Sequence, residues 1–323
     1  MTISPAQLLL VQRLLRQYTA ASATPDRDAA RNKLIALGPT LPPALELLIQ
    51  QRGAVIDPAV YPDVLAQLKP VYEIIERLRT GSATQRRVDA ARLVNHAAEA
   101  ELTYLAVDRL ANIVITEQEP LVWLAVLDVV AGLESQPAER IAYAAMTHPV
   151  AQIRRRACQY LEDHPLPRHA EMLLAALEDP DSSVVRAAVR ALGYVGELSS
   201  AEPLKTQLVS ADVELRVQAA ASLARLGHAS GPAALERLAY HGDESIRRQA
   251  AAAMGWLKEA RFTAALVRLL EDQPSVRRAA LEALPRVVGQ DIPAQQKPPA
   301  ANPAEKVQQW KQWYREQGGV VQR

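Results

Sequence analysis

Residues 179–196 read DPDSSVVRAAVRALGYVG, and the spacing inside this stretch decides the fold. Val184, Ala188 and Leu192 fall four residues apart, which at about 3.6 residues per turn places them on one face of a helix. The same triplet recurs in both directions. It is Ile153, Ala157, Leu161 upstream, then Leu215, Ala219, Leu223, then Ile246, Ala250, Met254, and finally Val276, Ala280, Leu284. Counted from their first residues, the copies lie 31, 31, 31 and 30 residues apart. One helical unit written five times at this period predicts a stacked array, in which each unit buries its apolar face against its neighbours.

The punctuation agrees with the period. Asp181, Asp212 and Asp243 stand three residues before the leading aliphatic residue, where a carboxylate accepts hydrogen bonds from the free backbone N–H groups of a first turn. Gly196 and Gly227 follow the helices at matching places and suit left-handed C-caps. A second, shorter helix comes next in each unit. Its apolar columns read Leu173, Leu204, Leu235, Ala265 and Leu177, Leu208, Ala239, Leu269. Alanine is abundant and Phe occurs once in 323 residues, a composition suited to close helix packing.

Charge narrows the function classes. Lys and Arg total 37 against 36 Asp and Glu, which disfavours a dedicated nucleic-acid binder, whose affinity comes from excess positive charge. The opening MTISPAQLLLVQRLLRQ has Gln12, Arg13 and Arg16 interrupting its apolar run, so it reads as an amphipathic helix and not a leader. No stretch approaches the roughly 18 apolar residues needed to cross a bilayer. Cys158 is the one cysteine, and a cytoplasmic location is the default expectation.

The copies 148–161, 179–196, 211–227, 242–257 and 273–287 resemble HEAT repeats, specifically the short bacterial type of phycobilisome-lyase-like proteins. The Trp–Leu–Gly–Tyr signature of tetratricopeptide repeats and the Thr–Pro–Leu–His turn of ankyrin repeats do not occur. The resemblance implies an all-α, right-handed α-solenoid of stacked antiparallel helix pairs of the HEAT/ARM type. Residues 1–120 read as degenerate, partly capping helical repeats, including a helix–turn–helix unit at 29–48 and longer helices at 58–79 and 84–115. Residues 121–288 are the regular repeats, since Val122 and Val130 lie 31 before Ile153 and Leu161. Residues 289–302 contain Pro293, Pro298 and Pro299 and read as an extended linker. Residues 303–323 form an amphipathic helix with Val307, Trp310, Trp313 and Tyr314 on one side.

Chemical motifs are sparse. Each copy carries arginine just after its leading aliphatic residue: Arg154 and Arg155, Arg186, Arg216, Arg247 and Arg248, Arg277 and Arg278. These predict a ladder reaching the capping aspartates or carbonyls of neighbouring units. Cys158 shares a column with Val189, Ala220, Ala251 and Leu281, so it belongs to the core and is no nucleophile. His148, His164 and His169 follow no metal-ligand spacing and read as surface-loop histidines. The iron-binding hydroxylases of the same fold carry repeated His–Glu dipeptides, which this sequence lacks. No catalytic, metal or cofactor residues are therefore assigned.

The resemblance also implies that the second helices line the concave side of the solenoid. One exposed row is then Ala144, Ala175, Thr206, Arg237, Val267, and its neighbour is Thr147, Glu178, Val209, Tyr240, Leu270. The expected activity is non-enzymatic: a scaffold or adaptor presenting this groove to a partner protein or peptide. The partner-binding set is Thr206, Arg237, Tyr240, Val267 and Arg268, joined by Trp310, Trp313 and Tyr314 of the tail. For those aromatics, packing on the last unit is the leading expectation, ahead of docking into another protein and then of membrane contact. A tetrapyrrole lyase or its accessory, implied by the short-repeat resemblance, and a DNA-alkylation-repair protein are the alternative classes.

Overall fold

The computed structural model describes residues 5–20, 24–37, 44, 74, 77–96, 107, 108, 110–295, 300 and 302–319. These residues are helical with no strand among them, and the chain divides into two compact units, Met1–Ala157 and Cys158–Arg323. Their helices are α1 (Pro5–Ala20), α2 (Thr24–Ala36), α3 (Ala83–His96), α4 (Pro120–Val130), α5 (Gln136–Ala145) and α6 (Ala151–Asp163). Then come α7 (Ala170–Ala175), α8 (Ser182–Val195), α9 (Ala201–Thr206), α10 (Val213–Arg225) and α11 (Ser230–Leu238). The last are α12 (Glu244–Leu257), α13 (Thr263–Leu269), α14 (Pro274–Val288), α15 (Ile292–Gln295) and α16 (Pro303–Glu316).

In the first unit, α1 packs on α2 through Val11, Leu14, Leu15 and Tyr18, with Ala30 and Leu34 buried on α2. Asp89 of α3 is fully buried and receives two hydrogen bonds from Arg77 and one from Gln85. Burial pushes its carboxyl up, yet these donors more than offset that and hold it below the ordinary aspartate value. Trp123 is buried on α4 and donates its indole N–H to the Glu117 carbonyl at 3.1 Å. The helix of 29–48 begins earlier, at Thr24, while its second half, the segment 58–73 and residues 97–106 lie outside the described residues.

The period governs the second unit. The three columns led by Val184, Ala188 and Leu192 are buried in every copy, and the alanine column has no exposed surface at all. Burying one leucine contributes about 1.5–3 kcal/mol, so these columns and the second helices supply most of the cohesion. Asp181 caps α8 by accepting from the Ser183 amide, Asp212 caps α10 through the Glu214 and Leu215 amides, and Asp243 caps α12 through Ser245. First helices of adjacent copies touch closely. The Ser222 hydroxyl donates to the Val189 carbonyl at 2.8 Å, beside Gly193, where any Cβ would meet the Ser222 Cα at 2.8 Å.

The helix ends hold a longer period than the glycines alone suggest. Positive φ occurs at Gly196, Gly227, Lys258 and Gly289, each 31 residues after the last. Lys258, at φ 57°, is the non-glycine member of this set and strained accordingly. The arginine ladder forms in part. Arg186 reaches the next cap, Asp212, at 2.6 Å, and Arg247 pairs in bidentate fashion with Asp272 at 2.7 Å. Arg154, Arg247 and Arg277 also donate to carbonyls of the turn that precedes their own helix. Arg216 does not join, since its buried Nε has no acceptor.

Three expectations need correction. The one-residue shortening of the last interval falls in the turn between Leu270 and Val276, not ahead of α13. The buried second-helix column is therefore Leu173, Leu204, Leu235, Leu266, each with no exposed surface, and Val267 and Leu270 are buried at 1% exposure. The expected extended linker contains a helical turn, α15, with Ile292 and Pro293 buried. His169 is 1% exposed and belongs to the interior, and His148 accepts from the Val150 amide and stands edge-on to Trp123.

Candidate protein-interaction surface

Four second helices of the second unit present an outward face whose residues follow from the corrected phase. One column is Ala175, Thr206, Arg237, Arg268 and the next is Glu178, Val209, Tyr240, Glu271, and all eight are exposed. Val209 is 84% and Tyr240 55% exposed. A third column, Glu171, Glu202, Ala233, Ala264, is exposed as well. The face therefore changes sign along the stack: carboxylates at Glu171, Glu178 and Glu202 precede guanidinium groups at Arg237 and Arg268.

Arg268 lies 3.7 Å over the Tyr240 ring, a cation–π contact that orders both side chains while leaving the guanidinium edge open. Neither Arg237 nor Arg268 makes a side-chain hydrogen bond or ion pair among the described residues. Glu271, by contrast, is paired with Lys311 of α16. That pairing removes a carboxylate from competition for Arg268, which shares the electrostatic field of Asp272 without forming an ion pair with it. Tyr240 and Arg268 also line a cleft of about 590 Å³ between adjacent copies, together with His241, Arg247, Gln273 and Arg277. Asp272 in that cleft is held below the ordinary aspartate range, first by its hydrogen bonds from Arg247.

The tail aromatics are placed elsewhere. Trp310 is 1% exposed and Val307 8%, both inside the cluster that includes Phe262, Leu266, Leu269 and Ile292, and Trp313 and Tyr314 pack half-buried against it. Trp310 and Trp313 meet edge to face at 5.5 Å. Helix α16 thus covers the apolar end of the last copy, and Trp310 is not available to a partner. Of the eight residues expected to bind, Thr206, Arg237, Tyr240 and Arg268 share the exposed face, Val267 is interior, and the three tail aromatics form the end cap. Val209 and Lys311 were not in that set. A period count places Val209 there, but nothing in the sequence ties Lys311 to Glu271.

No group of three or more His, Cys, Asp or Glu side chains clusters among the described residues, and none of their helices is long and apolar enough to cross a membrane.

Comparison with known proteins bears on the array itself. A family model described as HEAT repeats matches residues 138–213 and 201–285. No curated protein matches the sequence. Among solved structures, the complex of CpcE and CpcF of phycocyanin lyase from Nostoc sp. is similar at 17% identity and a TM-score of 0.49, covering 75% of this chain and 94% of that one. An engineered protein is similar at 15% identity and a TM-score of 0.35, over 93% of this chain and 97% of its own. Human deoxyhypusine hydroxylase in complex with glycerol is similar at 19% identity and a TM-score of 0.33, over 88% and 97%. At such identities and scores these likenesses say nothing of activity.

Proposed function

We propose that this chain, which carries HEAT repeats across residues 138–285, is a non-enzymatic scaffold that binds a partner polypeptide on the outward face of its second helices. The observation that carries the reading is the Tyr240–Arg268 pair: an exposed aromatic under a stacked guanidinium that makes no ion pair among the described residues. Aromatic and arginine side chains dominate binding energy at protein interfaces. A stacked arginine is already ordered, so less rotamer freedom is lost on binding. Around this centre, Val209 and Thr206 extend the contact toward the acidic end, and the face is long enough to receive a helix or an extended segment. The sign change along the columns favours a partner that places carboxylates over Arg237 and Arg268.

Charge reversal tests this directly. Arg237→Glu with Arg268→Glu leaves the buried columns untouched, so the melting temperature should stay within a few degrees of the parent. Affinity capture from cells that produce the protein should then lose the partners retained by the parent chain. Undiminished capture by the folded variant places recognition elsewhere.

A further inference from the structure

The first helices carry a periodic feature that neither the core nor the arginine ladder uses. Two residues beyond the buried Leu192, Leu223, Met254 and Leu284 stand Tyr194, Arg225, Trp256 and Arg286. In the structure each aromatic stacks with the arginine of the following copy. Arg225 lies 4.4 Å over Tyr194, and Arg286 lies 4.3 Å over Trp256. Tyr194 is 47% and Trp256 63% exposed. Arg186, Arg190 and Arg247, on the same set of helices, each have a carboxylate partner. Arg225 and Arg286 make no side-chain hydrogen bond or ion pair among the described residues. A cation near a helix C-terminus needs no ring to favour it, so the helix ends alone do not account for the alternation.

We propose that this column is a second recognition surface, for a polypeptide segment bearing spaced carboxylates beside aromatic or apolar side chains. A guanidinium stacked on a ring keeps its in-plane N–H groups free, and their fork matches a carboxylate in bidentate fashion. Two such forks, at the third and fifth copies, receive two carboxylates, while the exposed edges of Tyr194 and Trp256 in the second and fourth take the apolar residues next to them. The neighbouring charges select against a polyanion. Glu282 stands one turn before Arg286, Glu259 follows α12, and Glu162 lies in the electrostatic field of Arg225. A nucleic acid, with a phosphate at every nucleotide, would set several charges against these carboxylates for each guanidinium it gained. Sparse carboxylates meet the arginines alone.

The test uses the full-length chain with Arg237→Glu and Arg268→Glu in place, so that the second-helix face cannot supply the signal. Fluorescence anisotropy follows an alternating glutamate–tyrosine peptide of about twelve residues, with an alternating lysine–tyrosine peptide and an oligothymidylate of similar length as comparators. Saturable binding of the acidic peptide is expected, with affinity falling roughly tenfold or more on adding Arg225→Gln and Arg286→Gln. Arg225→Lys with Arg286→Lys keeps the charge and removes the planar fork, and it should also weaken binding while the melting temperature stays unchanged. Absence of binding, equal affinity after the glutamine substitutions, or tighter binding of the oligothymidylate would each overturn the proposal.

Discussion

Lys258 shows what a single residue can reveal about an array. At the end of α12 it occupies the left-handed conformation that Gly196, Gly227 and Gly289 adopt in the other copies. A side chain there costs about 1–2 kcal/mol, part of which is offset because lysine loses less backbone freedom on folding than glycine does. Lys258→Gly should therefore raise stability by about 0.5–1 kcal/mol, read as an increase in melting temperature. The opposite result is expected at Gly255, where an added Cβ would meet the Ala283 Cα at 2.8 Å. Gly255→Ala forces α12 and α14 apart and should cost about 1–3 kcal/mol in a denaturant titration. Both glycine roles follow from position in the period. Only the first is visible in sequence, because a helix-end glycine breaks a pattern whereas Gly255 sits inside one.

At the scale of elements, turns and caps divide the labour. Arg247 pairs with Asp272 and also ties two carbonyls of its own turn, so Arg247→Gln should cost about 1–3 kcal/mol. Arg216→Met should be close to neutral, since the buried Nε of Arg216 has no acceptor to lose. Acid should act in the same place. Asp272 lies below its ordinary value of 3.8 when folded, so its contribution is fully present above that value. It is lost as pH falls through the lower, folded value, and the acid limb of a stability–pH curve should shrink in Arg247→Gln. Helix α16 makes a different prediction: Trp310→Ala removes a side chain packed against the last copy and should cost about 3–5 kcal/mol, measured by thermal melting. The buried columns were legible from sequence because burial restricts residue type at every copy. The phase of α13 was not, since one residue lost between Leu270 and Val276 shifts the next triplet identically wherever the loss occurs. The seat of α16 on the last unit was the leading expectation from its amphipathic face, and Val307 and Trp310 are buried there.

At the scale of the molecule, the second unit is an array of equivalent parts whose outward residues escape the constraint of the core. Those residues are the ones on which the proposed function rests, and they are also where a sequence pattern is silent. Arg237 and Arg268 are ordinary surface arginines until the structure shows them without an ion pair among the described residues, beside a tyrosine that one of them covers. Lys311, on the helix that follows the last repeat, sharpens that charge by engaging Glu271. The most direct measurement places a photo-activated crosslinking side chain at Val209, and separately at Lys306 on the exposed side of α16, in cells that produce the protein. A discrete protein adduct is predicted at Val209, absent at Lys306 and lost from Val209 when Arg237→Glu and Arg268→Glu are introduced. No adduct at Val209, or one that survives the charge reversal, would contradict the assignment of this face as the binding surface.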